Sequence, residues 1–306
     1  MSKIQIQQIA LDNTETADLN GLVIQIRSEC PGQIQSRYIS RILAHSDRLP
    51  RRLRDYFWSE CTPLVVTNLP MYDDIENSKI LLLVLGETIG KCVGYSEYNQ
   101  SFITDIRPTI YSNEASSRRD LLCMHSDLAF ATDNCRPVVL VLMPHIANDD
   151  APKTLIATAE EIVAQLPTDK FDLLKERIFE IRSGEKLRWP CEQVRRISVI
   201  DYDKNSRLRI RLNFGSINLI AGLNNDIAAK ARDALETVTQ EALYIGRRMG
   251  HRLQKGQALL IPNDYCLHGR DVFEKEKTDR LLLRSYVVTE ETVDLQHGNT
   301  MISLRS

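Results

Sequence analysis

Short β-type runs recur from Thr62 onward and constrain the fold of this chain more than any other feature of its sequence. Polar residues, Pro, Gly or Asn separate one run from the next, as in turns between strands. Many short strands joined in this way predict a sandwich or barrel of mostly antiparallel strands and argue against a βαβ sheet. The runs are "SFITDI", "LLCMH", "VVLVLM", "TLIATA", "RIFEIR", "ISVIDY", "RLRIRLNF", "QALLIP" and "RLLLRSYVV".

The N-terminal quarter has a helical pattern instead. After an alternating segment, "KIQIQQIAL", apolar residues recur at helical spacing in "TADLNGLVIQIRSEC", "IQSRYISRILAH" and "LPRRLRDYFWSEC". We expect these helices to pack on the outside of the strands.

Two helical insertions interrupt the strands. "TAEEIVAQLP" begins with Thr158 followed by Glu161, a capping-box pattern. "NNDIAAKARDALETVTQEALYIGRRM" predicts a long amphipathic helix, either a buttress over one sheet or, less in keeping with its length, a partner-binding helix. Without repeats or a linker, we predict one domain over 1–306. Its parts are a helical layer (1–62) and a strand core (63–290) with insertions near 158–176 and 225–248.

Composition narrows the class of function. The chain of 306 residues is 43% hydrophobic, which suits a well-buried core, and 39 basic against 41 acidic residues give a net charge of -2. No global field therefore favours nucleic acid or an anionic membrane, and a small-molecule substrate is the expected partner. No stretch approaches the roughly 20 apolar residues that span a bilayer, so we expect a cytoplasmic protein. The sequence does not determine the oligomeric state.

The seven cysteines are scattered and never form a C-x-x-C pair. This spacing predicts neither a disulfide framework nor a structural zinc site. Most are expected to be small buried hydrophobic residues.

A histidine and an aspartate two apart break the apolar run "LLCMHSDLAF". On a strand, side chains at i and i+2 share a face, so His125 and Asp127 would project together while Ser126 turns away. The same letters occur at 45–47. There they end a helical pattern, where residues two apart diverge, and we interpret them as an exposed helix end.

His268 is the best candidate for a third ligand, since it follows the run "QALLIP" and a turn, whereas His145, His251 and His297 lie in turn-like or terminal contexts. Two histidines and one carboxylate make the facial triad of non-haem Fe(II) enzymes, which leaves coordination positions open. A zinc-dependent hydrolase or lyase could use the same three ligands. A catalytically inactive barrel that binds a small molecule is a third hypothesis.

An iron site that activates oxygen also needs a source of electrons. If 2-oxoglutarate supplies them, its free carboxylate needs a clamp, and the planar guanidinium of arginine suits that role. Arg280 and Arg284 in "DRLLLRSYV" would share one face of a strand, with Leu282 between them. The alternative is that these arginines pair with nearby acids such as Asp271 or Glu274.

These motifs together resemble a known family. "HSD", "APKTLIA", "IPNDYCLHGR" and the R-x-x-x-R pattern resemble Fe(II)/2-oxoglutarate-dependent oxygenases of the taurine dioxygenase and clavaminate synthase superfamily. Further upstream, "LPRRLRDYFWSECTPLVVTNLP", "SFITDIRP" and "EASSRRDLLCMHSDLAF" are similar to the branch that hydroxylates free amino acids, including asparagine, arginine and lysine oxygenases. The resemblance covers about residues 48–288.

The resemblance implies a double-stranded β-helix, that is, a cupin-like jelly roll, with surrounding helices. By motif position, His125, Asp127 and His268 would bind Fe(II). Thr154 and Arg280 would hold the distal carboxylate of 2-oxoglutarate. Arg284 would engage an anionic group of the primary substrate, which for an amino acid is the α-carboxylate. Polar contacts to that substrate would come from Gln100, Ser116 and Ser117.

The resemblance implies hydroxylation of an unactivated C–H bond in a free L-amino acid, with release of succinate and CO2. Many relatives in this branch carry glutamate where this chain has Asp127, which weakens any assignment of the substrate. Relatives that halogenate carry a small residue there, so Asp127 favours hydroxylation. Desaturation or cyclisation by the same iron chemistry stays open. A basic substrate such as arginine or lysine could pair with acids in 183–205, whose alternative role is that of ordinary surface residues: Glu185, Glu192, Asp201 and Asp203.

Overall fold

The computed structural model describes residues 6–29, 39, 42–43, 49–97, 101–108, 119–183, 194–274, 279–289 and 301–304. The helices of this part of the chain are α1 (Asn13–Glu29), α2 (Leu49–Glu60), α3 (Ile75–Ile89), α4 (Ala159–Val163), α5 (Thr168–Lys175) and α6 (Asn225–Met249). The first strands are β1 (Gln7–Ala10), β2 (Leu64–Thr67), β3 (Lys91–Tyr95), β4 (Ile103–Ile106), β5 (Leu122–His125), β6 (Val139–Ile146), β7 (Thr154–Thr158) and β8 (Phe179–Arg182). The remaining strands are β9 (Val194–Ile197), β10 (Ile200–Tyr202), β11 (Leu208–Ile210), β12 (Ile217–Leu219), β13 (Ala258–Pro262), β14 (Cys266–Arg270), β15 (Leu281–Val288) and β16 (Met301–Ile302).

The largest sheet has the strand order β1-β2-β13-β6-β15-β3-β16, with β4 also paired to β15. A second sheet, β5-β14-β7, carries the histidines of interest. Smaller sheets are β12-β8-β9 and β10-β11. Most pairs are antiparallel, and only β1–β2 and β3–β16 are parallel among the described strands. The expected jelly-roll core with surrounding helices is thereby confirmed.

Two apolar clusters lie on the two faces of the large sheet. Alternate strand residues point in opposite directions, so Leu259 and Leu140 join the cluster between the sheets, whereas Leu260 and Val141 join the outer one. Helices α1, α2 and α3 cover the outer cluster, which confirms that the N-terminal helices pack outside the strands. Helix α6 packs on β7 of the second sheet, as a buttress.

Helix α3 was not expected from the sequence. Every residue from Ile80 to Ile89 is buried, because the helix lies between the large sheet and helices α1 and α2. A helix that is apolar on all sides lacks the polar stripe that reveals helical periodicity. Its N-cap is Asp74, whose side chain accepts a hydrogen bond from the Glu76 backbone N–H.

Both predicted insertions are helical. The Thr158 hydroxyl accepts from the Glu161 N–H at 3.2 Å, as a capping box requires, and α4 and α5 follow. All five described cysteines are free, and only Cys123 is exposed. No helix in the described ranges has both the length and the apolarity needed to cross a membrane. The single-domain boundaries stay a prediction, and segment 45–47 lies outside the described residues.

Candidate metal centre

His125 and His268 are brought together by the pairing of β5 with β14. The two residues are register partners across this antiparallel pair, and their ring centroids lie 4.4 Å apart. Asp127 Oδ1 lies 3.2 Å from His125 Nε2 and 3.7 Å from His268 Nε2. One ligand atom from each residue lies within 4.8 Å of the others, the one such cluster of His, Cys, Asp or Glu in the described ranges.

Asp127 reaches this cluster from a turn, which corrects the expectation that it shares a strand with His125. Strand β5 ends at His125, and Asp127 lies in the following turn. Ser126 is fully buried and donates its backbone N–H to the Leu212 carbonyl at 2.8 Å. Leu128 has a left-handed φ of 52°, so the chain bends sharply just after the aspartate. The turn, and not the two-residue period of a strand, aims the carboxylate at the histidines.

The side chain of Asn263 holds the backbone of Asp127 on both sides. Its Oδ1 accepts from the Asp127 N–H at 2.8 Å, and its Nδ2 donates to the Asp127 carbonyl at 3.0 Å and to the Pro137 carbonyl at 2.9 Å. Asn263 directly follows β13 and is fully buried. A neighbouring strand end therefore fixes the position of the proposed carboxylate ligand.

The two oxygens of the Asp127 carboxylate have different partners. Oδ1 faces the histidines, whereas Oδ2 accepts from Arg284 Nη1 at 3.1 Å and from the Tyr286 hydroxyl at 2.9 Å. Burial alone would raise the pKa of Asp127, but the positive charge of Arg284 and the contacts with His125 and His268 outweigh it. They hold the pKa of this carboxyl well below its usual range, so it is ionised.

Both imidazoles present Nε2 to the cluster. His125 Nδ1 lies 2.8 Å from the Cys123 carbonyl, which can only accept, so Nδ1 carries the proton and Nε2 is left with its lone pair. Burial, together with the neighbouring His125, lowers the pKa of His268 to about 3, so that ring is neutral. Two imidazole Nε2 atoms and one carboxylate oxygen form a donor set that fits a divalent transition metal such as Fe(II).

Arg280 is a buried cation that follows His268 in the sequence. It directly precedes β15, its exposed fraction is 6%, and no hydrogen bond or ion pair joins it to any described residue. Burial, with a further contribution from the charge of Arg270, lowers its pKa to about 10. Among the described residues no ion pair joins Arg280 to Asp271, which lies 3.8 Å from Arg247 instead. Nor does Glu274 contact Arg280. The guanidinium needs an anion that the described protein does not provide.

The other predicted residues have different outcomes. Thr154 is buried on β7 and pairs in register with Arg270 on β14. Leu282, Arg284 and Tyr286 alternate with the outer-face residues of β15, as the spacing of the two arginines predicted. Gln100, Ser116, Ser117 and His297 lie outside the described residues.

The two remaining histidines have structural partners. The expectation of a turn-like context is wrong for His145, which lies within β6 and contacts the Ser78 hydroxyl through Nδ1 at 2.9 Å. His251 Nε2 lies 3.1 Å from Gln257 Oε1. Neither joins the cluster.

Comparison with known proteins decides the family. Residues 32–286 match the family described as "Taurine catabolism dioxygenase TauD, TfdA family". The chain belongs to this family. The resemblance stated from the sequence motifs is thereby confirmed.

Among TauD/TfdA relatives, an L-lysine 3-hydroxylase of Catenulispora acidiphila is 25% identical over 227 residues. The match covers 68% of this chain and 58% of that relative, so the chain spans little more than half the length of the curated relative it matches.

Solved structures share the fold. An asparagine oxygenase in complex with Fe(II), 2S,3S-3-hydroxyasparagine and succinate has a TM-score of 0.78 at 18% identity, covering 92% of this chain and 93% of that one. The non-heme iron oxygenase OrfP in complex with Fe and alpha-ketoglutaric acid has a TM-score of 0.75 at 18% identity, covering 96% and 98% of the two chains. At this identity the likeness establishes the jelly-roll fold alone.

Proposed function

We propose that this protein is an Fe(II)- and 2-oxoglutarate-dependent oxygenase that hydroxylates an unactivated C–H bond of a free L-amino acid and releases succinate and CO2. The observation that carries the proposal is the convergence of His125, Asp127 and His268, whose donor atoms lie within 4.8 Å of one another. The orientation of the three side chains supports it, because His125 Nε2, His268 Nε2 and Asp127 Oδ1 point to one place. Membership of the TauD/TfdA family supports it further.

Each part of the proposed site has a separate task. The triad would hold Fe(II), which with oxygen and 2-oxoglutarate supplies the oxidising power. Arg280 would bind the distal carboxylate of 2-oxoglutarate through two parallel charge-assisted hydrogen bonds, with the Thr154 hydroxyl as a second donor. The buried guanidinium would then gain an anion that none of the described residues supplies.

Arg284 would bind the α-carboxylate of the amino acid. It shares the inner face of β15 with Leu282 and Tyr286 and already contacts Asp127, so a substrate held by it would lie beside the triad. Binding the substrate this close restricts which C–H bond comes within reach. Gln100, Ser116 and Ser117 stay proposals for further contacts on the strength of the motif resemblance.

The side chain of the substrate is less constrained. Relatives named for lysine and asparagine, and OrfP bound to (3S)-hydroxy-L-Arg, support an amino acid as the class. Asp201 forms a two-bond ion pair with Arg209, and Asp203 accepts from the Tyr265 hydroxyl, so neither supports a basic substrate. Glu185 and Glu192 lie outside the described residues. The proposal that the substrate is a basic amino acid therefore rests on the relatives alone.

Other reactions on the same centre make different predictions. A zinc-dependent hydrolase or lyase gives no role to the buried cation of Arg280, which disfavours it. Desaturation and cyclisation would use the same residues and differ in product mass.

The test is an assay of the purified protein with Fe(II), ascorbate and 2-oxoglutarate against each free amino acid, measuring succinate and product mass. We expect one amino acid, or a few, to drive succinate formation and to gain one oxygen atom. A product that has lost two hydrogen atoms instead would identify desaturation or cyclisation. Failure to bind 2-oxoglutarate together with Fe(II) in the absence of oxygen would overturn the proposal.

A further inference from the structure

We propose that Tyr286 is a positioning residue that keeps Asp127 bound to the metal through one oxygen only, which leaves a coordination position open. The inference rests on the proposed function for the presence of the metal. It adds a role for a residue outside the triad and the two arginines.

The two carboxylate oxygens of Asp127 face different partners. Oδ1 is the atom that faces both Nε2 atoms, while Oδ2 accepts from the Tyr286 hydroxyl at 2.9 Å. A hydrogen bond from a neutral hydroxyl to a carboxylate is charge-assisted and stronger than one between two neutral groups. Rotating the carboxylate to offer both oxygens to one ion would break this bond. Tyr286 therefore favours the one-oxygen orientation before any metal binds.

The number of metal-bound oxygens matters for an oxygenase. A facial triad leaves positions for a chelating cosubstrate and for oxygen. A second oxygen from Asp127 would occupy one of these positions. Holding Oδ2 away from the metal is thus a condition for the proposed reaction.

Tyr286 is better suited to this task than Arg284, although both contact Oδ2. In the proposed function Arg284 also binds the substrate carboxylate, so its bonds would be shared when substrate is present. The proposed function does not assign Tyr286 to the substrate, and its ring is packed against neighbouring side chains. Its exposed fraction is 7%, it packs edge-on against Tyr95 with centroids 5.5 Å apart, and the Arg284 guanidinium lies 4.7 Å from its ring centre.

The test compares Tyr286→Phe with the matched variant Tyr95→Phe. Each removes one buried hydroxyl, but the Tyr95 hydroxyl donates to the Cys135 carbonyl at 2.8 Å and not to Asp127. Co(II), a redox-stable substitute for Fe(II), is titrated into each protein, and its affinity and visible absorption are recorded. For Tyr286→Phe we expect about a tenfold to hundredfold loss of affinity. We also expect a visible spectrum different from that of the wild type, because the second carboxylate oxygen would replace water at one coordination position. Tyr95→Phe should match the wild type in both.

The outcomes separate this inference from the proposed function. If the wild type binds no Co(II), the proposed function fails. If the wild type binds and Tyr286→Phe has the same affinity and spectrum, only the role of Tyr286 is overturned. Should Tyr286→Phe not fold, para-aminophenylalanine at position 286 keeps the ring and a donor. That protein should retain the wild-type spectrum, and a spectrum different from that of the wild type would contradict the inference.

Discussion

His125 and His268 face each other as register partners on neighbouring antiparallel strands, with ring centroids 4.4 Å apart. The geometry of the metal centre therefore depends on how closely β5 approaches β14. A one-residue slip in this pairing would turn one histidine to the opposite face of the sheet.

Gly269, next to His268, permits the close approach of the two strands. A Cβ at this position would lie 2.5 Å from the Leu122 carbonyl oxygen of β5. We predict that Gly269→Ala forces β5 away from β14 and lowers Co(II) affinity at least about tenfold. Gly21→Ala is the control, since Gly21 lies at an exposed position of helix α1 and a Cβ there meets nothing within 4 Å. It should keep metal affinity and stabilise the protein by about 0.5–1 kcal/mol. Wild-type metal binding by Gly269→Ala would contradict the prediction.

Removing a ligand should remove the metal. His268→Ala is predicted to lose detectable Fe(II) and Co(II) binding in calorimetric titrations, because two donors cannot hold the ion well. His145→Ala removes the same side chain from β6, where it contacts Ser78, and should bind metal normally. Equal losses in both variants would indicate a general structural defect and would count against the site.

Arg280 should make stability depend on 2-oxoglutarate. With a redox-stable metal bound, 2-oxoglutarate at about 100 times its Kd should stabilise the wild type by about 2.7 kcal/mol, measured by thermal unfolding. Arg280→Met should lose this effect. Without ligand, Arg280→Met should be at least as stable as the wild type, because the substitution removes a buried cation that has no acidic partner among the described residues. Arg209→Met, which removes an arginine paired with Asp201, should retain the ligand effect.

Asn263 should matter for both stability and metal binding. Asn263→Ala leaves the backbone N–H and carbonyl of Asp127 without their buried partner, at a cost of about 2–3 kcal/mol in urea unfolding. The freed Asp127 backbone should also weaken Co(II) affinity. Asn218→Ala, at an exposed position on β12, should change stability by less than about 0.5 kcal/mol. A destabilised Asn263→Ala with unchanged metal affinity would limit this residue to a structural role.

Arg284 should affect the amino acid more than 2-oxoglutarate. Arg284→Lys keeps the positive charge but loses the fork of parallel donors. We predict that the KM for the amino acid rises about tenfold, while the KM for 2-oxoglutarate stays near its wild-type value. Steady-state succinate assays measure both. The reverse pattern would exchange the assigned roles of Arg280 and Arg284.

The sequence predicted the members of the His125–Asp127–His268 cluster better than the local structure that brings them together. His125, Asp127 and His268 could be selected because each follows a strand-like run and has the right donor chemistry. The turn that aims Asp127 could not, because it depends on Leu212 from a distant segment and on the left-handed Leu128. Both features are consequences of tertiary packing.

The residues that support the cluster differ in how well the sequence predicts them. Tyr286 stands two residues after Arg284 on a predicted strand, so the two-residue period placed it on the same face as both arginines. That signal was present and was not used. Asn263 follows Pro262 in a segment with the composition of an ordinary turn. That composition gives no indication of the hydrogen bonds to Asp127. Helix α3 was not predicted for a third reason. Because it is buried on all sides, its sequence lacks the helical alternation of apolar and polar residues.

The position of α3 also has a consequence for biosynthesis. The helix packs on β6 and β15, and β13, which joins β6 to β2, is made only after residue 257. A growing chain therefore carries a largely apolar helix while β6, β13 and β15 of the sheet that covers it have not been translated. In many proteins the N-terminal domain folds first, during synthesis. Here the N-terminal helices cannot complete their packing before the later strands are made. This stretch, 80–89, is where a chaperone holding the nascent chain should bind.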